Sequence, residues 1–391
     1  MRLLRCITCC LLPGVVAAGW FSLNSGTTTE LDAVCFPVDT TTGYAVGGGG
    51  LILKTSNGGA TWESLPGSRI GWLTAVQFPV DVNTGYTVAS GGRIYKTTDA
   101  GANWVRESSG VTLDLRSVCF PVDAETGYVS GGDGGEGCIL KTTNGGTSWV
   151  RQSVDPGQPL TTVHFPVDAR TGYAAGWAGV LMKTTDGGAN WTPLTSGRSN
   201  DLASICFPGD AVIGHVAGSG GLVLKTTDGG TTWDPESTGV FDYLGSVDFP
   251  TNETGYAASG LGKIIKTTNG GGHWAQQVTG NTEFLCLVQF PVDARTGYAV
   301  GRNGVIIKTA DGGIGIAEKR PLPSANCTAR WATVVRGVLS PSADAARADL
   351  LDEAGQEVTQ TQAGVRDVRR LAPGIYFLRT GTNVNKVVIV K

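Results

Sequence analysis

The dipeptide Phe-Pro recurs at Phe36, Phe78, Phe120, Phe165, Phe207, Phe249 and Phe290, at intervals of 42, 42, 45, 42, 42 and 41 residues. A fixed period of this size means a repeat architecture, in which one supersecondary unit is copied and neighbouring copies bury a shared core. Within each unit the apolar residues also hold register. Leu31, Leu73, Leu115, Leu160, Leu202, Leu244 and Leu285 each stand five residues before their Phe. A segment such as Gly43-Tyr-Ala-Val-Gly47 follows, then an apolar run ending in Lys-Thr, as in Leu51 to Thr55, then a Gly-Gly turn and a Trp. Four short strands per unit of 40 to 45 residues make a propeller blade, so seven units predict a seven-bladed all-β propeller around a central channel.

Glycine accounts for 59 of 391 residues, about 15% against a usual share of roughly 7%. Tight turns repeated in every blade explain the excess, because glycine takes positive φ and close backbone approach without steric cost. A disordered low-complexity chain is excluded by the strict register and by an apolar share of 41%. The net charge of -3 supplies no basic face for a nucleic-acid backbone. No run of 18 apolar residues is present, so no membrane-spanning helix is expected.

The turn between the third and fourth strands is the most repetitive element. It reads Lys54-Thr-Ser-Asn-Gly-Gly-Ala-Thr-Trp62 in the first unit, and matching runs end at Trp104, Trp149, Trp191, Trp233 and Trp274. Its fourth residue, Asn57, Asp99, Asn144, Asp186, Asp228, Asn269 or Asp311, can accept hydrogen bonds from the turn's own amides, and the Trp packs over the hairpin. The seventh copy lacks the Trp and the strand after it. Each internal Trp lies 16 residues before the next Phe, and Trp20 lies 16 residues before Phe36. The outer strand of the last blade is therefore expected from Trp20 to about Asn24, which closes the ring and removes its exposed edges.

This turn resembles the Asp-box, or bacterial neuraminidase repeat. The complete unit, covering about residues 20 to 316, more closely resembles the photosystem II assembly and stability factor family of seven-bladed propellers. That resemblance implies structural Asp-box residues that define hairpins, and a non-catalytic binding or scaffold role with no cofactor.

Two further segments flank the ring. Arg2 and Arg5 precede the apolar run Cys6 to Val16, and Val16-Ala17-Ala18 offers small residues for cleavage, so residues 1–18 read as a secretory signal peptide. The propeller then spans 19–317, a Pro-containing linker 318–330, and a final domain 331–391. In that domain Leu350 to Val358, Leu371 to Arg379 and Lys386 to Lys391 alternate as strands. It resembles the C-terminal sorting domain of the type IX secretion system, which implies a small β-sandwich, the secretion machinery as a partner, and a secreted or outer-membrane-surface protein. The alternative is an accessory sandwich with its own binding role. Six cysteines remain after cleavage, Cys35, Cys119, Cys138, Cys206, Cys286 and Cys327. They lack metal-type spacing and read as mostly buried thiols.

Function is expected where the repeat is broken, on the face carrying the links between blades and the loops between second and third strands. Arg69, Trp72, Asp114, Arg116, Trp177, Arg198, Asp201, Phe241, Tyr243, Phe284 and Arg302 fall there. Aromatics interleaved with arginines suit a polypeptide or a glycan, and packing between neighbouring loops is the plainer alternative. A three-residue insertion within Asp133 to Cys138 lengthens a loop of the same face. The residue before each Phe also varies: Cys35, Gln77, Cys119, His164, Cys206, Asp248 and Gln289. Blades that are not neighbours hold these too far apart for metal bonds of about 2.0 to 2.3 Å, so no metal site is expected and His164 reads as a satisfied polar group.

The competing function is a sialidase- or xyloglucanase-like glycoside hydrolase at the channel mouth, since Asp-box propellers include such enzymes. Most glycosidases need two carboxylates within about 5 to 9.5 Å, a condition that Asp114 and Asp201 would have to meet across blades. The three histidines, His164, His215 and His273, suggest no nucleophile–base pair.

Overall fold

The computed structural model describes residues 19–65 and 71–313 in full and, between residues 333 and 389, backbone strands alone. The chain divides into two compact units, Met1–Ala317 and Glu318–Lys391. The expected signal peptide, the linker over 318–330 and Cys327 lie outside the described residues.

Unit one contains seven four-stranded antiparallel sheets. Blade one is β2 (Leu31–Cys35), β3 (Gly43–Gly47), β4 (Ile52–Thr55) and β5 (Glu63–Ser64), in that order. The first strands contact one another in sequence, and that of blade seven, Leu285–Gln289, returns to β2, so the ring is closed. Strand β1 (Trp20–Leu23) is the outermost strand of blade seven and pairs Trp20 with Thr309 and Leu23 with Ile306. The expected closure by the N-terminal strand is what the chain adopts.

One aromatic module, repeated at each joint, holds the blades together. Tyr44 of blade one stacks on Phe78 of blade two at 3.9 Å, and Phe78 meets Trp104 edge-on at 6.1 Å. The Tyr44 hydroxyl donates to the carbonyls of Val82 and Ala100, and Lys54 Nζ donates to Ala100 as well, its ammonium 5.4 Å from the Tyr44 ring. Such aromatic pairs contribute about 0.5–1.5 kcal/mol beyond area burial. Blade seven uses Tyr298 on Phe36 across the closure, with its hydroxyl on the carbonyls of Thr40 and Gly58. Only blade five departs, placing the fully buried His215 on Phe249 at 3.7 Å.

A second joint circles the channel beneath the Phe residues. Gln77 accepts the Phe120 N–H at 2.7 Å, Asp248 the Phe290 N–H at 2.6 Å, Gln289 the Phe36 N–H at 3.2 Å, and His164 Nε2 the Phe207 N–H at 3.4 Å. Cys35, Cys119 and Cys206 face the N–H groups of Phe78, Phe165 and Phe249 in the same way. The variable position before each Phe is thus an acceptor for the next blade. Burial lowers the His164 imidazole to about 4, which keeps the accepting nitrogen unprotonated. All five described cysteines are free.

Each Asp-box behaves as its residues imply. Asn57 Oδ1 accepts the Thr61 N–H at 2.9 Å and Thr55 Oγ1 accepts that of Gly59 at 2.9 Å, which closes the turn. In unit two, five strands form one sheet in the order Thr333–Val335, Asn383–Ile389, Gly374–Thr380, Arg347–Leu351, Glu357–Gln362, and Val338–Leu339 pairs with Arg366–Asp367. How those two sheets pack lies outside the described residues.

Candidate functional site at the channel mouth

In all seven first strands the pairing register slips by one residue directly after the conserved Leu. The extra residues are Asp32, Thr74, Arg116, Thr161, Ala203, Gly245 and Cys286. A β-bulge re-aims its side chain, and these seven are half-buried directly after a fully buried Leu, consistent with a ring lining the channel. The bulge is held by the end of the second strand. At Gly301, for instance, a Cβ would overlap the carbonyl oxygen of Phe284. Where the bulge residue is Thr74 or Thr161, its hydroxyl ties to the next blade through Leu115 or Leu202 at 2.7 Å. Asp32, Arg116 and Cys286 replace that tie with chemistry.

Around blades six, seven, one and two these residues form a continuous track. Tyr243 lies against Phe284, with ring centroids 6.1 Å apart, and the Arg302 guanidinium sits 4.6 Å over the Phe284 ring. Arg302 Nε donates to Glu30 Oε1 at 3.2 Å. Cys286 Sγ lies 3.8 Å from the same oxygen, and Trp72 Nε1 donates to Asp32 Oδ2 at 2.8 Å. Ligand atoms of Glu30, Asp32 and Cys286 lie within 4.8 Å of one another. Burial pushes the Asp32 carboxyl up to about 7; the Trp72 donor and Arg302 oppose this and the Glu30 charge adds to it. Burial, with the charges of Asp32 and Glu30, holds the Cys286 thiol well above its usual range and so protonated.

The remaining candidates divide by what they touch. Arg116 lies 5.3 Å from the Trp177 ring across the joint of blades three and four, and its buried Nε has no hydrogen-bond partner. The charges of Asp201 and Arg116 both act on Tyr243, the first adding to the upward push of burial on its phenol and the second opposing it. Phe241 is 89% exposed and Trp72 44%. Asp114 and Asp201 instead fasten turns: Asp114 accepts the Gly91 N–H at 2.8 Å and Asp201 that of Ala178 at 2.9 Å. Arg198 is exposed at the rim of a 660 Å³ groove beside Ala178 and Ser196, and its backbone N–H is held by Ser196 Oγ. Arg69 lies outside the described residues. The insertion forms the hairpin Gly127–Asp133 with Glu136–Thr142, where Arg151 pairs with Glu136 at 2.6 Å.

Glu30, Asp32 and Cys286 were absent from the candidates read from the sequence. The available signal was the variable position four residues before each Phe, where Asp, Arg and Cys interrupt small residues. Arg116 occupies that position among the sequence candidates; Asp32 and Cys286 occupy it as well, and Glu30 lies two residues before Asp32, ahead of the strand.

Residues 158–284 match the family model described as photosynthesis system II assembly factor YCF48. No curated protein matches the chain. YCF48 from Cyanidioschyzon merolae shares 21% identity and a TM-score of 0.62, over 75% of this chain and 98% of that one. A structure of YCF48 bound to D1 peptide shares 18% and 0.63, over 76% and 99%. The GH74 xyloglucanase from Xanthomonas campestris shares 15% and 0.63, over 78% of this chain and 55% of that one. At these identities the likeness of structure is one of fold: a seven-bladed propeller.

Proposed function

We propose that this protein is an exported, non-catalytic binding propeller that captures an extended polypeptide across the channel mouth. The observation that carries the reading is the track from Tyr243 through Phe284 and Arg302 to Glu30, Asp32 and Trp72. There, the aromatic rings of Tyr243, Phe284 and Trp72 are interleaved with the donors and acceptors of Arg302, Glu30 and Asp32. A peptide supplies both apolar side chains for those faces and backbone N–H and C=O groups for the charged atoms between them. The matching family model and the solved relative bound to a peptide support this choice over a glycan. Export rests on the N-terminal leader pattern, and the C-terminal unit is assigned the sorting role for type IX secretion from its Gly374-Ile-Tyr-Phe377 and terminal Lys386-Val-Val-Ile-Val-Lys391. Deleting residues 318–391 in a host with that system is expected to leave the propeller in the periplasm.

The decisive test is capture from an envelope extract by immobilised protein. Trp72→Ala combined with Tyr243→Ala should remove the captured species while moving the melting temperature by no more than about 2 °C, since neither side chain belongs to a core cluster and they are 44% and 40% exposed. Unchanged capture would sink the proposed face.

One observation favours a second reading, a glycoside hydrolase. Asp32, raised to about 7, and Glu30, paired with Arg302, are neighbouring carboxyls in contrasting surroundings, as a general acid and a carboxylate partner require. Release of reducing sugar from polysaccharides, abolished by Asp32→Asn, would establish that reading and displace the first.

A further inference from the structure

Blade seven completes its Asp-box with a residue from the other end of the chain. In blades one to six the box's Asp or Asn accepts the backbone N–H of the residue just before the Trp. The pairs are Asn57 with Thr61 at 2.9 Å, Asp99 with Asn103 at 2.8 Å, Asn144 with Ser148 at 3.0 Å, Asp186 with Asn190 at 2.9 Å, Asp228 with Thr232 at 2.9 Å, and Asn269 with His273 at 2.8 Å. Gly19 is the residue just before Trp20, and its nitrogen occupies the equivalent place on Asp311.

The seventh site differs in one respect. Where the box residue is Asp, its second oxygen is answered by a side chain: Asn103 for Asp99, Asn190 for Asp186 and Thr232 for Asp228. Glycine has no side chain to offer. Instead the Gly19 nitrogen itself stands 3.2 Å from Asp311 Oδ1 and 3.0 Å from Oδ2. An amide carries one hydrogen and serves one oxygen well, whereas an ammonium carries three donors and serves both. Gly19 also has φ +89, while none of the six equivalent residues has positive φ, so a chain arriving from upstream would enter in a direction that the continuous turns do not use.

We propose that the Ala18–Gly19 bond is a proteolytic processing site and that the α-ammonium released on Gly19 is the group that completes the seventh Asp-box on Asp311, so that leader removal and ring closure are coupled. In the cleavage step an export peptidase breaks the bond between the Ala18 carbonyl carbon and the Gly19 nitrogen. The hydroxyl of water passes to the carbonyl carbon and its proton to the nitrogen, which takes up a second proton from solvent to become the ammonium. The peptidase rests on the export reading above; the ammonium–carboxylate pair does not.

The test has separate arms for the two. Intact mass and N-terminal sequencing of the protein recovered after export should show Gly19 first, and any other first residue overturns the processing site. Failure of export altogether sinks the export reading and the processing site with it, and leaves the second arm to decide the pair. In that arm, residues 19–391 are prepared with a free and with an acetylated α-amine. Acetylation keeps an N–H and removes the charge, and should lower the melting temperature at pH 7 by about 2 °C or more. A paired amine has its pKa raised in the folded state, so its contribution is full below the ordinary range of about 7.7–8.0 and is lost as pH climbs through the raised value. The two forms should therefore converge at alkaline pH, and Asp311→Asn should abolish their difference at pH 7. Equal melting temperatures of the two forms at pH 7, or an equal difference in Asp311→Asn, overturns the pair. Should Asp311→Asn fail to fold, the acetylation difference and its pH dependence decide alone.

Discussion

The indole N–H of Trp72 on blade two reaches back to blade one and donates to Asp32 Oδ2 at 2.8 Å, so this channel-mouth tryptophan is held by a carboxyl that burial pushes up to about 7. Burial raises the Asp32 carboxyl in the folded state above its unfolded value, so the fold binds that proton more tightly and the stability contribution falls as pH rises from about 4 to about 7. Asp32→Asn should therefore gain stability relative to the parent at pH 8 and show little gain at pH 4. Trp72→Phe removes the donor that opposes the shift and should move the transition to higher pH. Urea midpoints across pH 4 to 9 provide the measurement, and parallel profiles for parent and Asp32→Asn would refute it.

Asp248 obeys the same rule at a structural site. Its Oδ2 accepts the Phe290 N–H at 2.6 Å, yet burial pushes its carboxyl up to about 7. Asn keeps the acceptor and removes the charge. Asp248→Asn is expected to stabilise the ring above pH 7 with an advantage that shrinks toward pH 4, whereas Asp248→Leu, which strands a buried N–H, should cost about 1–3 kcal/mol at either pH.

At the joint of blades five and six, His215 stacks on Phe249 where the other blades carry Tyr, and its two nitrogens lack hydrogen bonds although Glu236 Oε2 stands 3.7 Å from Nδ1. Burial lowers the imidazole pKa, so protonation of the unfolded chain removes stability as pH falls below about 6.5. His215→Tyr restores the hydroxyl that Tyr173 uses one blade earlier on Ala211 and Gly229. It should add about 1 kcal/mol at pH 7 and more at pH 5. Denaturant titrations at the two pH values test both parts, and a loss at pH 5 would refute the account.

The propeller was legible in the sequence because its determinants are local and repeated. Leu, Phe-Pro, Tyr, Lys-Thr and Trp fall at fixed offsets, and the missing seventh Trp pointed directly to Trp20. The candidate site was legible only in part. Trp72, Tyr243, Phe284 and Arg302 break the pattern and lie on the candidate track, but Asp114 and Asp201, which break it equally, hold turn amides. An aspartate beside a turn reads alike whether it serves the fold or a ligand. Asp32 is harder to read because its exposure depends on a one-residue register slip, which alternation does not encode.

The closure strand yields the largest expected effect. Trp20 is buried, meets Phe290 edge-on at 5.9 Å and Tyr256 at 6.5 Å, and joins the two ends of the ring through four backbone pairs to Ile306–Thr309. Trp20→Ala removes an aromatic from a packed core, at about 3–5 kcal/mol. Trp149, at an internal joint, has the same edge-on contact with Phe120 at 6.1 Å, so Trp149→Ala loses a comparable amount of packing. The difference lies in what the loss releases. Around Trp149 the chain is continuous on both sides, whereas β1 has no downstream partner within its own blade except the strand that it covers. Trp20→Ala should therefore open blade seven locally, with amide exchange at Ile306–Thr309 rising to the rate of β1 itself. Trp149→Ala should lower the global midpoint without selective exchange in blade three. Equal exchange profiles for the two variants would show that the ring's ends are held no differently from its internal joints.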